Sequence, residues 1–335
     1  MKVLVLGATG AMGRYVVPKL LERGYTVDAV SLDNMESGDK RLKYIKADAT
    51  DMDVIKGILS ENYDGIIDFM VYPTPKFAER FELFLESTSH YIYLSSYRVY
   101  ANEEHPITET SPRLLDASHD KTFLATEDYS LYKARCENIL RSSVYGNWTA
   151  VRPAITYSTC RYQLVTLEAP VNISRAKLGK PVLVPETALG VEATLSWAGD
   201  VAEMIVRLLF NEEAKREVYT VSTAEHHKWG EIAGYYKELI GLEIVPVDNE
   251  TYLRCFSPDR SIQAASKYQL IYDRLFDRII DNTKILKAAG MKQSELMPLR
   301  KGLEYELSRL PEGIEWNPAV INGNMDFYLE KMGKL

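Results

Sequence analysis

The chain begins with a short apolar run that breaks into three evenly spaced glycines. Residues 2–6 read Lys-Val-Leu-Val-Leu, and Gly7, Gly10 and Gly13 precede an apolar-rich segment over 15–22. This order predicts a strand, a tight turn and a helix. The helix N-terminus favours a pyrophosphate, and glycines let the backbone approach it closely. The spacing is a GxxGxxG variant of the GxGxxG fingerprint, and its strand–turn–helix context disfavours an ordinary glycine turn.

Strand-like and helix-like segments then alternate through the first half of the chain. Alternation of this kind predicts right-handed βαβ units and a doubly wound parallel sheet, whose ligands lie beyond the carboxyl ends of the strands. Gly7, Asp48 and Ser96 all fall at such ends. The predicted strands are 26–32, 42–47, 65–71 and 91–94, and the predicted helices are 54–59 and a segment from Pro75 that places Phe77, Phe81, Phe84 and Leu85 on one face.

The second half is less regular. It contains a strand ending at 150–153, a helix over 200–209, a strand over 218–221, and mostly helical segments after Trp229 with turns at Gly241 and Gly290. With 335 residues, 46% of them hydrophobic, the chain is long enough for two lobes. We expect a dinucleotide-binding domain over 1–155, completed by parts of 190–225, and a smaller, mostly C-terminal α/β substrate-binding lobe over 156–190 and 226–335.

Composition narrows the class of protein. The net charge is -7 and no Lys/Arg cluster forms a basic stripe, so we expect no nucleic-acid partner. No apolar run reaches the roughly 20 residues that cross a bilayer, so we expect no membrane partner. Cys136, Cys160 and Cys255 lack metal-ligand spacing and suit a reducing compartment. With no charged leader at the N-terminus, the expectation is a soluble cytoplasmic protein without a metal.

Tyr129 and Lys133 form the sharpest chemical pair in the sequence. Four residues apart on a predicted helix, their side chains share one face, about 5–6 Å apart at Cβ. A phenol ordinarily has a pKa near 10, and a neighbouring ammonium stabilises the phenolate. Such a tyrosine exchanges a proton with a substrate hydroxyl as hydride leaves or returns to carbon, and Ser96 would hold the substrate oxygen. Tyr132 is a competing phenol predicted to point to another face. The alternative is a chance pair on a surface helix.

Together these motifs resemble an extended short-chain dehydrogenase/reductase of the NAD-dependent epimerase/dehydratase family, over roughly the first 225 residues. The family has a Rossmann-type fold. The matching segments are the cofactor loop 7–13, an acidic clamp near adenine at 46–51, the strand ending in the catalytic serine at 93–100, the Tyr-x-x-x-Lys helix at 129–133 with Glu137, and the stretch flanking the nicotinamide at 151–157.

The resemblance implies catalytic roles for Ser96, Tyr129 and Lys133 and a bound nicotinamide cofactor. Asp33 lies where an acid would accept a hydrogen bond from the ribose 2′-hydroxyl of NAD. Counting from Gly24 instead puts Ser31 at the position that distinguishes NAD from NADP in the family. Arg14 could support NADP, so NAD is preferred and NADP stays open. The expected cofactor-binding residues are Gly7, Thr9, Gly10, Ala11, Met12, Gly13, Ser31, Asp33, Asp48, Ala49, Phe69, Met70, Val71, Tyr129, Lys133, Pro153 and Ile155.

Several positions depart from the family pattern. Tyr97 and Arg98 stand where dehydratases carry an Asp-Glu pair, which disfavours dehydration. Met70-Val71-Tyr72 replaces the usual Ala-Ala. Seven residues before Asp200, where relatives that bind nucleotide sugars often have an arginine, this chain has Ala193. The possible substitute cations, which we expect to be ordinary surface charges, are Arg161, Arg175, Arg274 and Arg278.

The first functional hypothesis is therefore a nucleotide-sugar epimerase that works through a transient keto intermediate. Tyr129 would be its acid/base, Lys133 would tune the pKa of that phenol, and Ser96 would bond the substrate oxygen. The second is a reductase or dehydrogenase that uses the same residues on a sugar or another small carbonyl compound. A third is a non-catalytic dinucleotide-binding regulator or RNA-associated protein. The resemblance also makes a homodimer plausible.

Overall fold

The structure is a computed structural model that describes residues 1–159, 161–311, 313–314 and 316–335. It divides into two compact units, each built from several stretches of the chain. Unit 1 comprises Met1–Thr156, Ser196–Ala224 and Asp281–Met297, and unit 2 comprises Tyr157–Leu195, Glu225–Ile280 and Pro298–Leu335.

The assignment of the whole of 226–335 to the second lobe is corrected by this division. Asp281–Met297 belongs to unit 1. Its Ile285 and Leu296 side chains are buried in the same hydrophobic cluster as Val201 and Ile205. Burial of these apolar side chains ties the segment to unit 1, although the stretch Glu225–Ile280 of unit 2 separates it in sequence from the rest of unit 1.

The strands follow the apolar runs of the sequence. Their bounds are β1 Lys2–Leu6, β2 Thr26–Ser31, β3 Leu42–Lys46, β4 Gly65–Asp68, β5 His90–Leu94, β6 Trp148–Val151, β7 Ile155–Tyr157, β8 Val182–Pro185, β9 Glu192–Ala193, β10 Leu195–Trp197, β11 Glu217–Tyr219, β12 His227–Lys228 and β13 Ile244–Val247.

The helices cover the connections between these strands. Their bounds are α1 Gly13–Glu22, α2 Met52–Leu59, α3 Thr74–Ala78, α4 Phe81–Glu86, α5 Leu114–Ala117, α6 Lys121–Leu124, α7 Tyr129–Ser142, α8 Ala169–Lys177, α9 Ala198–Leu208, α10 Trp229–Ile240, α11 Asn249–Arg254, α12 Ala264–Gln269, α13 Thr283–Ala289, α14 Leu299–Leu307 and α15 Ala319–Lys331. Single 3₁₀ turns occupy Tyr97–Val99, Glu186–Ala188, Glu212–Ala214 and Gln293–Glu295, and a π-helical turn spans Leu270–Arg274.

Seven strands of unit 1 form one sheet in the order β11-β6-β5-β4-β1-β2-β3. Every neighbouring pair is parallel. Alternate residues of β1 enter different cores, with Val3 and Val5 on the side of α1 and α9, and Leu4 and Leu6 on the side of α2 and α7. Because helices cover both faces, the predicted Rossmann-type, doubly wound parallel sheet is confirmed.

Two elements of unit 1 differ from their sequence predictions by more than a shift of one or two residues at an end. The strand predicted over 65–71 ends at Asp68. The helix predicted from Pro75 to Leu85 is two short helices, because Arg80 leaves the helical conformation with φ −131°. Its buried guanidinium donates to the carbonyls of Lys76 and Thr50 at 2.8 and 3.2 Å. These side-chain bonds fix the break between α3 and α4.

Unit 2 has short strand pairs and helices. β13 pairs with β8 in parallel, and β12 pairs with β9 in antiparallel fashion. Arg175 on α8 bonds Asp326 on α15 at 2.8 Å. Arg274 and Arg278 both bond Asp273.

The expectation that Arg175, Arg274 and Arg278 are surface charges is wrong. All three are buried, because a carboxylate partner makes burial of each guanidinium tolerable. Arg161 is the more exposed of the four candidate cations and lies 3.8 Å from Glu168. None of the three buried arginines is therefore an unpaired surface cation.

Three properties bear on the predictions made from composition. Cys136 and Cys255 are buried free thiols, and Cys160 lies outside the described residues. Within the described part of the chain, no helix is both long and apolar enough to cross a bilayer. The same residues contain no group of three His, Cys, Asp or Glu side chains that could hold a metal ion.

Candidate active site

The glycine turn after β1 is built from backbone contacts. Gly7 adopts φ +75°, a conformation that favours glycine, and its amide and that of Ala8 both donate to the Val30 carbonyl at 3.0 Å. A Cβ placed on Gly13 would lie 2.5 Å from the carbonyl oxygens of Gly7 and Ala8. The turn therefore requires glycine at its first and last positions, and α1 begins directly at Gly13.

A cavity of about 610 Å³ opens beside this turn at the carboxyl ends of β1, β2, β3 and β4. Most of the predicted cofactor-binding residues line it. They are Gly7, Thr9, Gly10, Ala11, Met12, Gly13, Ser31, Asp33, Asp48, Ala49, Phe69 and Met70. Val30, Leu32, Ala47 and Thr50 also line it but are not among the predicted cofactor-binding residues. Ala47 and Thr50 lie within the 46–51 segment that resembles the adenine clamp, whereas Val30 and Leu32 only adjoin Ser31.

The remaining predicted cofactor residues do not line this cavity: Val71, Tyr129, Lys133, Pro153 and Ile155. The side chain of Val71 is exposed, whereas Ile155 is buried. The carbonyl of Pro153 accepts from the Tyr97 amide at 3.2 Å. Their expected role beside the nicotinamide stays a prediction.

Ser31 and Asp33, the two candidates for the residue that distinguishes NAD from NADP, both lie at the end of β2. The Ser31 hydroxyl accepts from the Asp33 amide at 3.1 Å, which folds the two residues into one turn beside the cavity. Asp33 is exposed. Arg14 donates to the Thr9 carbonyl at 3.0 Å, so its guanidinium supports the glycine turn.

Asp48, the predicted adenine clamp, is held by its own turn. Its carboxylate accepts from the amide and the hydroxyl of Thr50 at 2.8 and 2.7 Å. These hydrogen bonds hold the pKa of Asp48 below its usual range. The carboxylate is thus ionised and oriented at the edge of the cavity.

Lys133 is fully buried one turn along α7 from Tyr129. Its ammonium donates to the carbonyl of Leu94 at 2.5 Å, at the end of β5. The Nζ atom lies 5.0 Å from the ring centre of Tyr93 and 5.7 Å from that of Tyr129. An ammonium has three donors, and in the described residues this one makes no second hydrogen bond, so two remain for a ligand or the phenol.

The two phenols of α7 differ in burial. Tyr132 is buried and packs edge-on against Tyr129, with ring centres 5.3 Å apart. Burial raises the pKa of Tyr132 far above its usual value, so it is a poor base. The Lys133 Nζ lies 5.9 Å from the Tyr132 ring centre, and the prediction that Tyr132 points to another face stays a prediction. Tyr129 is the more accessible phenol.

Ser96 and Arg98 follow β5 in the turn that packs against α7. The buried Ser96 hydroxyl accepts from the Arg98 amide at 3.2 Å, and the same hydroxyl can still donate. The Arg98 guanidinium lies 5.0 Å from the ring centre of Tyr129 and 3.8 Å from the Asp128 carboxylate. Dehydratases have an acidic residue at position 98. In this chain that position is Arg98, whose cation lies over the ring of Tyr129, the candidate acid/base.

A buried carboxylate, Glu137, anchors the part of the site that contains Ser96 and Lys133. Glu137 accepts from the Ser95 hydroxyl at 2.5 Å, from two nitrogens of Arg152 at 2.7 and 2.6 Å, and from Arg113 at 3.3 Å. Burial opposes ionisation, but the neighbouring arginines and these hydrogen bonds hold the pKa of Glu137 below its usual value. The network fixes α7 against the segment that carries Ser96.

Asp68, at the end of β4, is a second buried carboxyl. It accepts from the Tyr91 hydroxyl at 2.8 Å and from the Met70 amide at 2.9 Å. Burial raises the pKa of Asp68 to about 6, although these hydrogen bonds and the charge of Lys133 lower it. Sequence reasoning gave this residue no role.

Comparison with known proteins assigns the chain to a family. A family model described as the NAD dependent epimerase/dehydratase family matches residues 3–222. The chain belongs to the NAD-dependent epimerase/dehydratase family. Its cofactor is NAD, as predicted, and it is an enzyme of the epimerase/dehydratase type. A search of curated protein sequences finds no match.

Several solved structures share the fold of this chain at low sequence identity. Pal from Bacillus thuringiensis is 16% identical, with a TM-score of 0.68 over 93% of this chain and 100% of that one. UDP-glucose 4-epimerase from Thermus thermophilus, solved with NAD, is 19% identical, with a TM-score of 0.65 over 94% and 100%. dTDP-glucose 4,6-dehydratase from Bacillus anthracis, also solved with NAD, is 16% identical, with a TM-score of 0.69 over 95% and 99%.

Proposed function

We propose that this family member is an epimerase that inverts a hydroxyl-bearing carbon of a nucleotide sugar through a keto intermediate. The observation that carries the proposal is the buried Lys133 ammonium, anchored on the Leu94 carbonyl beside the accessible Tyr129 phenol. A buried cation next to a phenol suits reversible deprotonation of an alcohol. The nucleotide sugar is supported by similar structures, one of them a UDP-glucose 4-epimerase from Thermotoga maritima solved with UDP-glucose.

The glycine turn and its cavity fit a dinucleotide. A Cβ on Gly13 would collide with the turn, and the α1 N-terminus lies at the cavity, which suits a pyrophosphate. Gly7, Gly10 and Gly13 would hold the pyrophosphate, and Asp33 and Asp48 would hold the adenosine side. NAD supplies reversible hydride transfer when it is bound. We propose Val71, Pro153 and Ile155 as neighbours of its nicotinamide.

Each catalytic side chain has a separate task. Tyr129 takes the proton from the substrate hydroxyl and returns it when the ketone is reduced on its other face. Lys133 stabilises the phenolate with one of its two remaining donors. Ser96 donates its hydroxyl proton to the substrate oxygen and keeps that oxygen in line with Tyr129. Unit 1 thus carries the cofactor and the acid/base, and unit 2 is proposed to select the substrate.

Dehydration is disfavoured by the residues after Ser96. Eliminating water from the keto sugar needs an additional acid and base beside the sugar ring. Tyr97 is buried, and Arg98 lies over the Tyr129 ring and is paired with Asp128. Neither side chain is a carboxyl group, which disfavours dehydration by this pair.

The test is turnover without added cofactor. The purified protein, with bound NAD confirmed by mass spectrometry of its denatured extract, is mixed separately with UDP-, GDP- and dTDP-sugars. Chromatography of the products detects an epimer, and absorbance at 340 nm (an assay wavelength) detects net redox. An epimer formed without net redox supports the proposal. Stoichiometric redox that requires added cofactor would instead assign a reductase, and loss of water would assign a dehydratase.

A further inference from the structure

Unit 1 contains a second cavity of about 550 Å³, which is lined mainly by polar and charged residues and lies beside the edge strand β11. None of its lining residues lines the dinucleotide cavity or belongs to the Ser96, Tyr129 and Lys133 group. Its volume is within the roughly 300–1,000 Å³ of small-molecule sites. The lining residues are Glu109, Thr110, Ser111, Pro112, Arg113, Asp116, Arg141, Arg152, Arg216, Glu217, Val218 and Lys284.

The acids of this cavity already have partners. Asp116 accepts from Arg113 at 2.7 Å, and Glu217 accepts from Lys284 at 2.7 Å. One oxygen of Glu109 accepts from the Thr220 amide at 2.7 Å. Asp116 and Glu217 are therefore ion-paired before any ligand binds, and Glu109 has one of its two oxygens occupied by a backbone amide.

Two cations of the cavity are uncompensated. Arg141, at the end of α7, and Arg216, before β11, are exposed, and within the described chain neither side chain has a hydrogen-bond or ion-pair partner. Arg216 is nevertheless positioned, because its backbone has φ +63°, its amide donates to the Trp148 carbonyl at 2.6 Å and its side chain packs against Gly146. Two guanidinium groups at one cavity favour an anion.

The deeper part of the cavity is held by ion pairs to a buried carboxylate. Arg152 is fully buried and Arg113 is nearly so, and both are fixed by the Glu137 carboxylate. A ligand entering here would meet prearranged guanidinium groups, with hydroxyls of Thr110 and Ser111 as further donors. Fixed donors lower the entropic cost of binding.

We propose that this cavity binds a small phosphate-bearing metabolite, with Arg141 and Arg216 as its principal ligands. A phosphate group carries up to two negative charges and several acceptor oxygens, which match two uncompensated guanidinium groups flanked by hydroxyls better than a single carboxylate does. The proposal is independent of the epimerase assignment, since it uses none of the catalytic or cofactor residues.

The experiment is calorimetric titration with inorganic pyrophosphate, in saturating NAD so that the dinucleotide cavity is filled. Wild-type protein is compared with R141Q/R216Q and with K40Q/K43Q, a control that removes two exposed cations elsewhere in unit 1. We expect R141Q/R216Q to bind pyrophosphate at least about tenfold more weakly, since the two substitutions remove both uncompensated guanidinium groups from the cavity. The control should bind like the wild type.

Two results would overturn the proposal: no binding to the wild type, or equal binding by all three proteins. Circular dichroism melting curves show whether R141Q/R216Q is folded. If the double variant is unfolded, R141Q and R216Q are measured singly, and each should weaken binding severalfold. Equal binding by both single variants and the wild type would again contradict the site.

Discussion

The two halves of the candidate active site, the proposed cofactor half and the proposed catalytic half, are held together by different forces. The cofactor half consists of the glycine turn and the ends of β2 and β3, and it is shaped by backbone geometry and close contacts. The catalytic half consists of Ser96, Tyr129 and Lys133, and it is held by buried charges, with Lys133 on the Leu94 carbonyl and Glu137 between Arg113 and Arg152.

This difference predicts different sensitivities. A change to the backbone-built half should alter cofactor affinity and leave the chemistry of bound substrate nearly intact. A change to the charged half should alter either the reaction or the stability of unit 1, because unpaired buried charges are costly. The comparison fails if both halves respond to substitution in the same way.

The largest effect is expected from Tyr129→Phe. Removing the phenol removes the acid/base, so kcat should fall by about 10²–10⁴-fold, while NAD affinity stays within about twofold. Steady-state kinetics and a fluorescence titration with NAD measure the two quantities. Tyr132→Phe is the matched control, since its buried phenol has no assigned role and its kcat should stay within a few fold. Comparable losses in both variants would remove Tyr129 from its role.

Glu137→Gln should act on stability. It breaks a buried ion pair and leaves Arg152 without its carboxylate, at an expected cost of about 3–5 kcal/mol in the free energy of unfolding. Glu212→Gln, which breaks an exposed pair with Lys215, should cost nothing measurable. Urea denaturation measures both variants. Equal unfolding midpoints would show that the network does not anchor the site.

The same residue predicts a pH dependence. Because the pKa of Glu137 is lower in the folded chain than its usual 4.5, its contribution to stability is present above pH 4.5 and is lost as the pH falls below that value. The wild type should therefore lose stability faster than Glu137→Gln on acidification from pH 5. Parallel curves of unfolding free energy against pH would contradict this assignment.

Gly13→Ala should weaken NAD binding about tenfold, or about 1.4 kcal/mol, because its Cβ would displace the carbonyls of Gly7 and Ala8 from the turn. Gly57→Ala is the control. It lies in α2 with open space around it, and alanine favours helices, so its NAD affinity should be unchanged. Unaltered NAD binding by Gly13→Ala would show that the turn tolerates a side chain.

The smallest effect is expected from Asp33→Asn. An acid at the end of β2 repels a 2′-phosphate, so its removal should shift the ratio of NAD to NADP affinity toward NADP by about fivefold, or roughly 1 kcal/mol for an exposed charge in water. Titration with each cofactor measures the ratio. If Ser31→Ala shifts it and Asp33→Asn does not, Ser31 is the discriminating residue.

Local patterns predicted much of the fold, and long-range contacts account for what they missed. The strands of the central sheet are apolar runs bounded by turns, so β1 and β5 were recognisable from a few residues each. The break at Arg80 depends on a bond to the Thr50 carbonyl, and the place of Asp281–Met297 depends on burial against α9. The short strands β8, β9, β12 and β13 of unit 2 lack a periodic signal, and their pairing is decided by tertiary contacts.

The candidate site shows the same division. Gly7, Gly10 and Gly13 follow a contiguous motif, and Tyr129 and Lys133 follow helical spacing, so both could be predicted. The Leu94 carbonyl under Lys133 and the guanidinium of Arg98 over Tyr129 could not, because they depend on how the turn after β5 packs against α7. The burial of Asp68 likewise follows from strands on both sides of β4.

The most direct test of the central claim follows deuterium on the sugar ring. A nucleotide sugar deuterated at its ring carbons is incubated with the NAD-bound protein in ordinary water, and the product is analysed by mass spectrometry and NMR. We predict an epimer that keeps all its deuterium, because the inverted carbon gives up deuteride and receives the same deuteride back. An epimer that has exchanged deuterium for solvent hydrogen at the inverted carbon would contradict it, since proton abstraction from carbon would then replace oxidation by hydride loss.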